Sequence, residues 1–392
     1  MHILMIHPHD LLTEPWTIRI IKYAESLVHK GHKVTLAYFP SNYRRKEGLI
    51  VRDDLPGGMS CIELKRGKWN LIGNMKKVLQ LAESADIIHV QKCIPDAALP
   101  ALYAARFHNK PLHYDWDDNE TWAVRYCEAL FFTRTLIALY ERVLPGLSTT
   151  VSVTSEILHQ MALARGAHAD RIVRATVGVD IQEFDSMRKS ACPFYPQTGN
   201  INHWILYVGQ LEAGNFGQLI ISSFREVVKV RKDIGLLIVG GGFAKAEFEN
   251  RISALNLADN VFFTGYVPHK NIPSIMAKAD IGLACVDDAP LARAGSPIKV
   301  LEYMASGLAV VGTAVGEIPQ MLEGCGMLVG PGDLHAVRDA VLELIDNPEK
   351  RRMLGEKARR RVSEVYNWDR ITDNLLEAYN KGIAFIGSPA GL

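Results

Sequence analysis

The sequence predicts an α/β protein made of two tandem doubly wound, Rossmann-like domains. Three observations predict it. Short apolar runs alternate with amphipathic segments, which is the signature of βαβ units around a parallel sheet. One segment, ACPFYPQTGNINH (191–203), has no periodicity and breaks that rhythm, which then restarts. The 392 residues suit two such domains of roughly 190 residues each. The expected domains are 1–190 and 204–366, joined by a linker at 191–203. Two facing sheets would enclose an interdomain cleft. Ligands of such sheets bind at the carboxyl ends of strands, where strand order reverses.

The elements follow in order. HILMI (2–6) reads as a buried parallel strand. Ile18, Ile21, Ala24, Leu27 and Val28 have helical spacing over 17–30, and Gly31 ends that helix. KVTLAYF (33–39) and DIIHV (86–90) are strands, followed by a helix near 96–108 and a strand near 111–115. In the second half, WILYVG (204–209) is a strand and 216–231 a helix. IGLLIVGGG (234–242) is a strand ending in glycines, and 244–256 is a helix. FFTGYV (262–267), DIGLACV (280–286) and LAVVGT (308–313) are short strands. Residues 333–347, 350–364 and 368–381 are the last helices.

Composition narrows the function. Apolar residues are 48% and charged residues 22%, which excludes a disordered chain, a fibre and a coiled coil. Net charge is +1, from 44 basic and 43 acidic residues, so nothing global points to nucleic acid. The first 92 residues nevertheless hold 14 basic against 9 acidic. Cysteines at 61, 93, 127, 192, 285 and 325 form no C-x-x-C pair, which fits a reducing compartment. The N-terminus lacks the basic region and cleavage site of a signal peptide. ALFFTRTLIALY (129–140) is cut by Arg134 and too short to span a bilayer. The expected location is the cytoplasm, with peripheral contact at the inner face of the cell membrane.

The most informative segment is ARAGSPIKVLEYMASGLAVVGTAVG (292–316). Ser296 and Pro297 read as a helix start, with Ser296 as the cap. The helix runs through Glu302 to about Ala305, and Gly307 ends it. Free N–H groups and a positive dipole at such a start suit a diphosphate. Glu302, about two turns along, can accept from a ribose diol. The alternative is an ordinary capped surface helix. Gly240, Gly241 and Gly242 at a strand end allow a ligand to approach the backbone, or simply make a tight turn. No GxxxxGK[ST] loop exists, which excludes a P-loop NTPase, and no G-x-G-x-x-G follows the first strand, which argues against a nicotinamide or flavin dehydrogenase.

Several ordered segments together resemble the retaining glycosyltransferases of the GT-B fold, the large family 4 group. ILYVGQLEAGNFGQLIISSFREV resembles their opening strand and helix of the donor domain. LLIVGGG, NVFFTGYVPHKNIPSIMAKADIGLACV (260–286), SPIKVLEYMASGLAVVGTAVGEIPQML and CGMLVGPGD (325–333) follow in the family's order. RRVSEVYNWDRITDNLLEAY (360–379) resembles the terminal helix that crosses back to the first domain, so 367–385 is expected to complete it. In 1–190 the likeness is looser, through GHKVTLAYF, ADIIHVQ, VSVTSEIL and VGVDIQEF.

The resemblance implies transfer of a sugar from a UDP- or GDP-linked donor to a hydroxyl of a glycan or lipid-linked acceptor, with retention, in cell-surface polysaccharide or glycoconjugate synthesis. It implies no cofactor and no required metal. Glu302 matches the distal glutamate of the E-x7-E motif. Ser296, Pro297 and Ile298 match the diphosphate loop, and Gly265, Tyr266 and Val267 the loop framing the base. Gly209, Gln210, Gly240 and Gly241 complete the expected donor set.

Four positions depart from the family. The proximal glutamate falls at Ala294, the diphosphate arginine at Gln210 and the lysine at about Phe216. Asp117 occupies the place of the histidine that faces the reacting sugar. Arg293 and Lys299 are the candidates for replacement charge, Arg293 being the better placed. Lys299 can equally be a solvated helix face. Asp117 and Glu302 are the expected catalytic residues. His7, His9, Trp16, His89 and Asp118 are the expected acceptor side, with Trp16 as a stacking platform or a core residue. The acidic run from Asp115 to Glu120 could hold a hard cation, but a sugar hydroxyl is the better reading. The basic stretches 43–48, 65–69 and 75–77 are the expected membrane contact, or plain solvated loops. The departures leave one alternative of a different class, a degenerate glycosyltransferase-like scaffold.

Overall fold

The computed structural model describes residues 1–14, 17–40, 50–51, 57–126, 131–187, 189, 192–196, 198–211, 217–242 and 244–388. It separates into two compact units. Unit 1 is Met1–Val177 with Ala294–Ser296 and Trp368–Leu392, and unit 2 is Gly178–Arg293 with Pro297–Asn367. Residues 178–190, assigned from sequence to the first domain, therefore group with the second.

Unit 1 holds a seven-stranded sheet. Its strands are β1 (His2–His7), β2 (Lys33–Tyr38), β3 (Ser60–Glu63), β4 (Ile87–Gln91), β5 (Leu112–Trp116), β6 (Thr150–Val153) and β7 (Ile172–Arg174). The spatial order is β3-β2-β1-β4-β5-β6-β7, all parallel. Strand order reverses between β1 and β4. The central strand β1 is buried along nearly its whole length, which is why HILMI reads as an unbroken apolar run. Ile3 and Met5 pack under the first helix (Ile18–His29) and the C-terminal helix (Trp368–Ile386), with Tyr23, Leu27, Trp368 and Leu375. Leu4 and Ile6 point the other way, toward Val78, Ala97 and Ala101.

Unit 2 holds a six-stranded sheet. Its strands are β8 (His203–Val208), β9 (Ile234–Val239), β10 (Val261–Gly265), β11 (Ile281–Ala284), β12 (Ala309–Thr313) and β13 (Met327–Val329). Their order is β10-β9-β8-β11-β12-β13, parallel throughout. Here the reversal lies between β8 and β11. The helices expected from sequence appear as Gly217–Val230, Lys245–Ala254, Leu334–Asp346 and Pro348–Val365. No helix among the described residues is long and apolar enough to cross a membrane. Cys61, Cys93, Cys192, Cys285 and Cys325 are free thiols.

Candidate functional site

In unit 2 the site is built where β8, β9 and β10 end. Gly240 donates to the Gly265 carbonyl at 2.9 Å, tying β9 to β10. A Cβ on Gly240 would lie 2.1 Å from the Gly209 carbonyl oxygen, and one on Gly241 would lie 2.6 Å from the Tyr266 ring. Gly240 also has φ +131°, outside the range of ordinary side chains. These two glycines thus bring the protein's own strand ends together. The sequence had offered close ligand approach or a tight turn. Val267 is buried one residue beyond Tyr266.

The helix Ile298–Ala305 hangs from β8. The Tyr303 hydroxyl accepts from the Val208 amide at 2.8 Å. Its ring lies flat on Gly282, where a Cβ would come within 2.6 Å. Only glycine at 282 lets the helix sit this close. The cap differs from expectation. Pro297 is the N-cap residue and no side chain caps the helix. The Ser296 hydroxyl is buried without a hydrogen-bond partner instead.

Two charged side chains of this helix point to the strand ends. Glu302 is buried, and its Oε1 lies 2.6 Å from His269 Nε2. Sequence reading passed over His269, which lies just after the base-framing loop in VPHKN. Nothing in the spacing links 269 to 302 before the chain folds. Lys299 does not lie on a solvated face. Its Nζ sits 4.3 Å from the centre of the Tyr207 ring and 3.3 Å from the Tyr207 hydroxyl. A Cβ on Gly209 would be 2.5 Å from that Nζ, so the ammonium lies at the turn preceding Gln210. Burial lowers its pKa to about 8, against the opposing pull of Glu302. Arg293, favoured from sequence, is clamped by both oxygens of Asp288 and is half exposed. Ala294 is fully buried and brings no charge. Phe216 lies outside the described residues.

In unit 1 the corresponding corner is formed by the ends of β1, β4 and β5. His7 closes β1 and is fully buried. Its ring meets that of His9 edge-on at 5.3 Å. Burial, then the charges of His9 and Lys92, keeps His7 neutral. His9 is pushed down to about 3, by burial first and then by Lys92 and Arg66. Gln91 Nε2 donates to Asp117 Oδ2 at 2.9 Å. Lys92, another residue not singled out from sequence, sits among three carboxylates. Its Nζ lies 2.5 Å from Glu120, 3.2 Å from Asp117 and 3.9 Å from Asp118. Burial works against that ammonium, but Asp117, Glu120 and Asp118 outweigh it, so Lys92 stays charged. Asp118 is pushed upward, by burial and by its acidic neighbours, with Lys92 opposing.

His89 is not at the strand ends as expected. It lies inside β4, under the C-terminal helix, with Nδ1 2.7 Å from the Tyr379 hydroxyl and its ring beside His113. The strand period turns it into the sheet's buried face, one layer below the corner. Two residues nearer the strand end, level with Gln91, lies Asp115, bound by Arg19 through Nε at 2.9 Å and a second nitrogen at 2.7 Å. Arg19 also donates to the carbonyls of Ala175 and Thr176. Trp16 lies outside the described residues, as does 43–48. In the 65–69 stretch, Arg66 is exposed and donates to the carbonyls of Pro8, Phe39 and Pro40. Trp69 and Ile72 nearby are exposed.

Comparison with known proteins adds the family. Residues 200–361 match the sequence model of the glycosyl transferases group 1. The MMP alpha-(1->4)-mannosyltransferase of Mycolicibacterium hassiacum is 25% identical over 251 residues, 63% of this chain and 56% of that protein. The N-acetyl-alpha-D-glucosaminyl L-malate synthase of Bacillus anthracis is 28% identical over 164 residues, 41% of either protein. The chain thus spans about half the length of the curated relatives it matches. Anabaena HepE in complex with UDP and glucose superposes with a TM-score of 0.72 at 17% identity, covering 97% of this chain and 99% of that one. A glycosyltransferase from Rickettsia africae gives 0.73 at 17%, over 97% and 98%. At this identity the likeness establishes the fold, the GT-B architecture of two parallel sheets.

Proposed function

We propose that this chain, whose residues 200–361 match the glycosyl transferases group 1, moves a sugar from a nucleoside diphosphate sugar held by unit 2 to a hydroxyl acceptor held by unit 1, with retention at the anomeric carbon. The observation that carries the reading is the corner of unit 2. There a helix start without a side-chain cap and the half-buried Lys299 ammonium stand at the strand ends. Backbone N–H groups, a helix dipole and one ammonium form an anion site of the kind a diphosphate needs.

In this reading the amides of Ile298 and Lys299 and the Lys299 ammonium take the diphosphate, with Ser296 and Pro297 shaping the loop. Gly209, Gln210, Gly240 and Gly241 form the floor, and Val267 backs the base. Glu302 accepts from the ribose through the oxygen that His269 leaves over. The anomeric carbon–oxygen bond to phosphate breaks as the acceptor oxygen bonds to that carbon. The departing phosphate oxygen takes the acceptor's proton on the same face, so no protein nucleophile is required. Asp117, Asp118, His7 and His9 are the acceptor side. Lys299 and Lys92 supply the positive charge, and the reading calls for no metal or cofactor. The scaffold alternative rested on missing charge, and Lys299 weakens it by standing beside Gln210, where one was lost.

The test is binding and turnover with a panel of UDP- and GDP-sugars. At least one donor should bind by calorimetry and be hydrolysed or transferred. Glu302→Ala should weaken that donor by about 2–3 kcal/mol, roughly 30- to 150-fold in Kd. No binding across the panel, or an unchanged Kd in the variant, sinks the proposal.

A further inference from the structure

The acidic corner of unit 1 already contains a cation. Lys92 follows β4 with φ 65°, a left-handed conformation that costs a lysine on the order of 1 kcal/mol. That backbone turn carries its Nζ into the space between Glu120, Asp117 and Asp118. An extended residue here would follow the line of the strand. The strained backbone and the buried charge support one another. Asp117 is held from two sides, by Lys92 and by the Gln91 amide.

The same corner leaves other polar atoms bare. Gln91 Oε1 and both ring nitrogens of His7 make no hydrogen bond of ordinary geometry, although the two side chains interact with one another, and both residues are fully buried. Such atoms cost about 1–3 kcal/mol each when nothing meets them. They point to a ligand that supplies the missing bonds. Asp117, Asp118 and Glu120 face Lys92, with the Arg66 charge also felt at His9 and Asp118 pushed toward its protonated form, so the corner carries little net charge. Gln91 Oε1 can only accept. The complementary group is therefore a neutral hydroxyl, as on a sugar or polyol.

We propose that Lys92 is a positioning residue for the transfer reaction: its ammonium holds Asp117 so that this carboxylate, Gln91 Oε1 and His7 receive a hydroxyl of the acceptor. This inference builds on the transferase reading above. The left-handed turn suits glycine, so Lys92→Gly removes the ammonium without straining the backbone. n-Butylammonium then matches the missing side chain. In Lys92→Gly, kcat should fall about 100-fold, the scale of a misplaced reacting group. The KM for the nucleotide sugar should stay within about twofold, because the donor site belongs to unit 2. n-Butylammonium should restore at least about tenfold of the lost rate, and tetramethylammonium, which has no N–H, should not. Lys92→Arg should keep more activity than Lys92→Met.

Three results would overturn the proposal. They are an unchanged kcat in Lys92→Gly, a parallel loss of donor binding, or no amine rescue with the arginine variant no better than the methionine one. If the wild-type protein transfers no sugar at all, the transferase reading fails and the melting temperature decides the role of Lys92. n-Butylammonium should raise the Tm of Lys92→Gly and leave the wild type unchanged. No rise in the variant would overturn the counter-ion role itself.

Discussion

At the carboxyl end of the first sheet, acidic side chains outnumber basic ones and are turned inward around Lys92. At the same end of the second sheet, a helix start and the Lys299 ammonium face the strand ends, with Glu302 paired to His269. Both sites use a lysine turned inward, Lys92 buried and Lys299 half-buried, but with opposite results. Lys92 is surrounded by carboxylates, which outweigh the cost of burial and keep it charged. Lys299 rests on an aromatic ring, and burial lowers its pKa to about 8. The first lysine has its counter-ions built in. The second gains its full charge when an anion arrives. One corner is thus suited to neutral hydroxyls and the other to phosphates, although the units share one topology.

The contrast can be broken first at its support. The buried Arg19–Asp115 pair underlies the unit 1 corner and ties down the carbonyls of Ala175 and Thr176. Arg19→Met leaves Asp115 charged and uncompensated, a loss of about 3–5 kcal/mol. Urea unfolding should show that loss, with donor binding at unit 2 retained under native conditions. Equal damage to donor binding would mean that the two corners are not separable.

Lys299 tests the other side with a smaller effect. Lys299→Met should cost about 1.5–2 kcal/mol of donor affinity, about 10- to 30-fold, with a shallower salt dependence. The sign with pH follows from burial. Only the charged ammonium attracts the diphosphate, so wild-type affinity should be flat below pH 8 and weaken as pH rises through about 8. Lys299→Met should lose that slope. For stability the sign is opposite, because the unfolded chain binds this proton more tightly and folding gains from this group as pH rises above 8. Calorimetry from pH 6.5 to 9.5 measures the affinity trend.

The smallest effect concerns the basic first quarter. Trp69 and Ile72 are exposed beside Lys76 and Lys77 on the helix Leu71–Glu83. If acceptors lie on an anionic membrane, Trp69→Ala should reduce sedimentation with anionic vesicles by about threefold to tenfold. Turnover of a soluble acceptor should be unchanged. Equal loss on neutral vesicles would remove electrostatics from the explanation.

Much of the local structure of the proposed donor site was legible in the sequence because its signals are local. A helix start, a glutamate two turns later and a terminating glycine occupy one short segment, and 292–316 folded close to the way it reads. Ser296 was misread as a cap because the adjoining Pro297 takes that position. Lys299 and Arg293 could not be ranked in advance. Their order depends on Asp288, which reaches back to clamp the arginine, and on Tyr207, which lies on a strand far away in sequence. Lys92 gave no signal at all, since a lone lysine after a strand usually lies in solvent. Its role depends on a left-handed backbone turn and on carboxylates contributed by the next strand's loop.

The sequence by itself determined two parallel sheets, the order of their strands along the chain and the position of the helix start proposed to bind the diphosphate. Apolar periodicity and glycine placement are local properties, and they dictate local structure wherever the chain goes. Tertiary structure decided which charges meet. It paired Glu302 with His269, placed Lys299 on Tyr207, withdrew His89 beneath Tyr379 and closed three acids around Lys92. Electrostatic partners in these corners come from strands far apart in sequence, and only sheet order and register bring them within bonding distance.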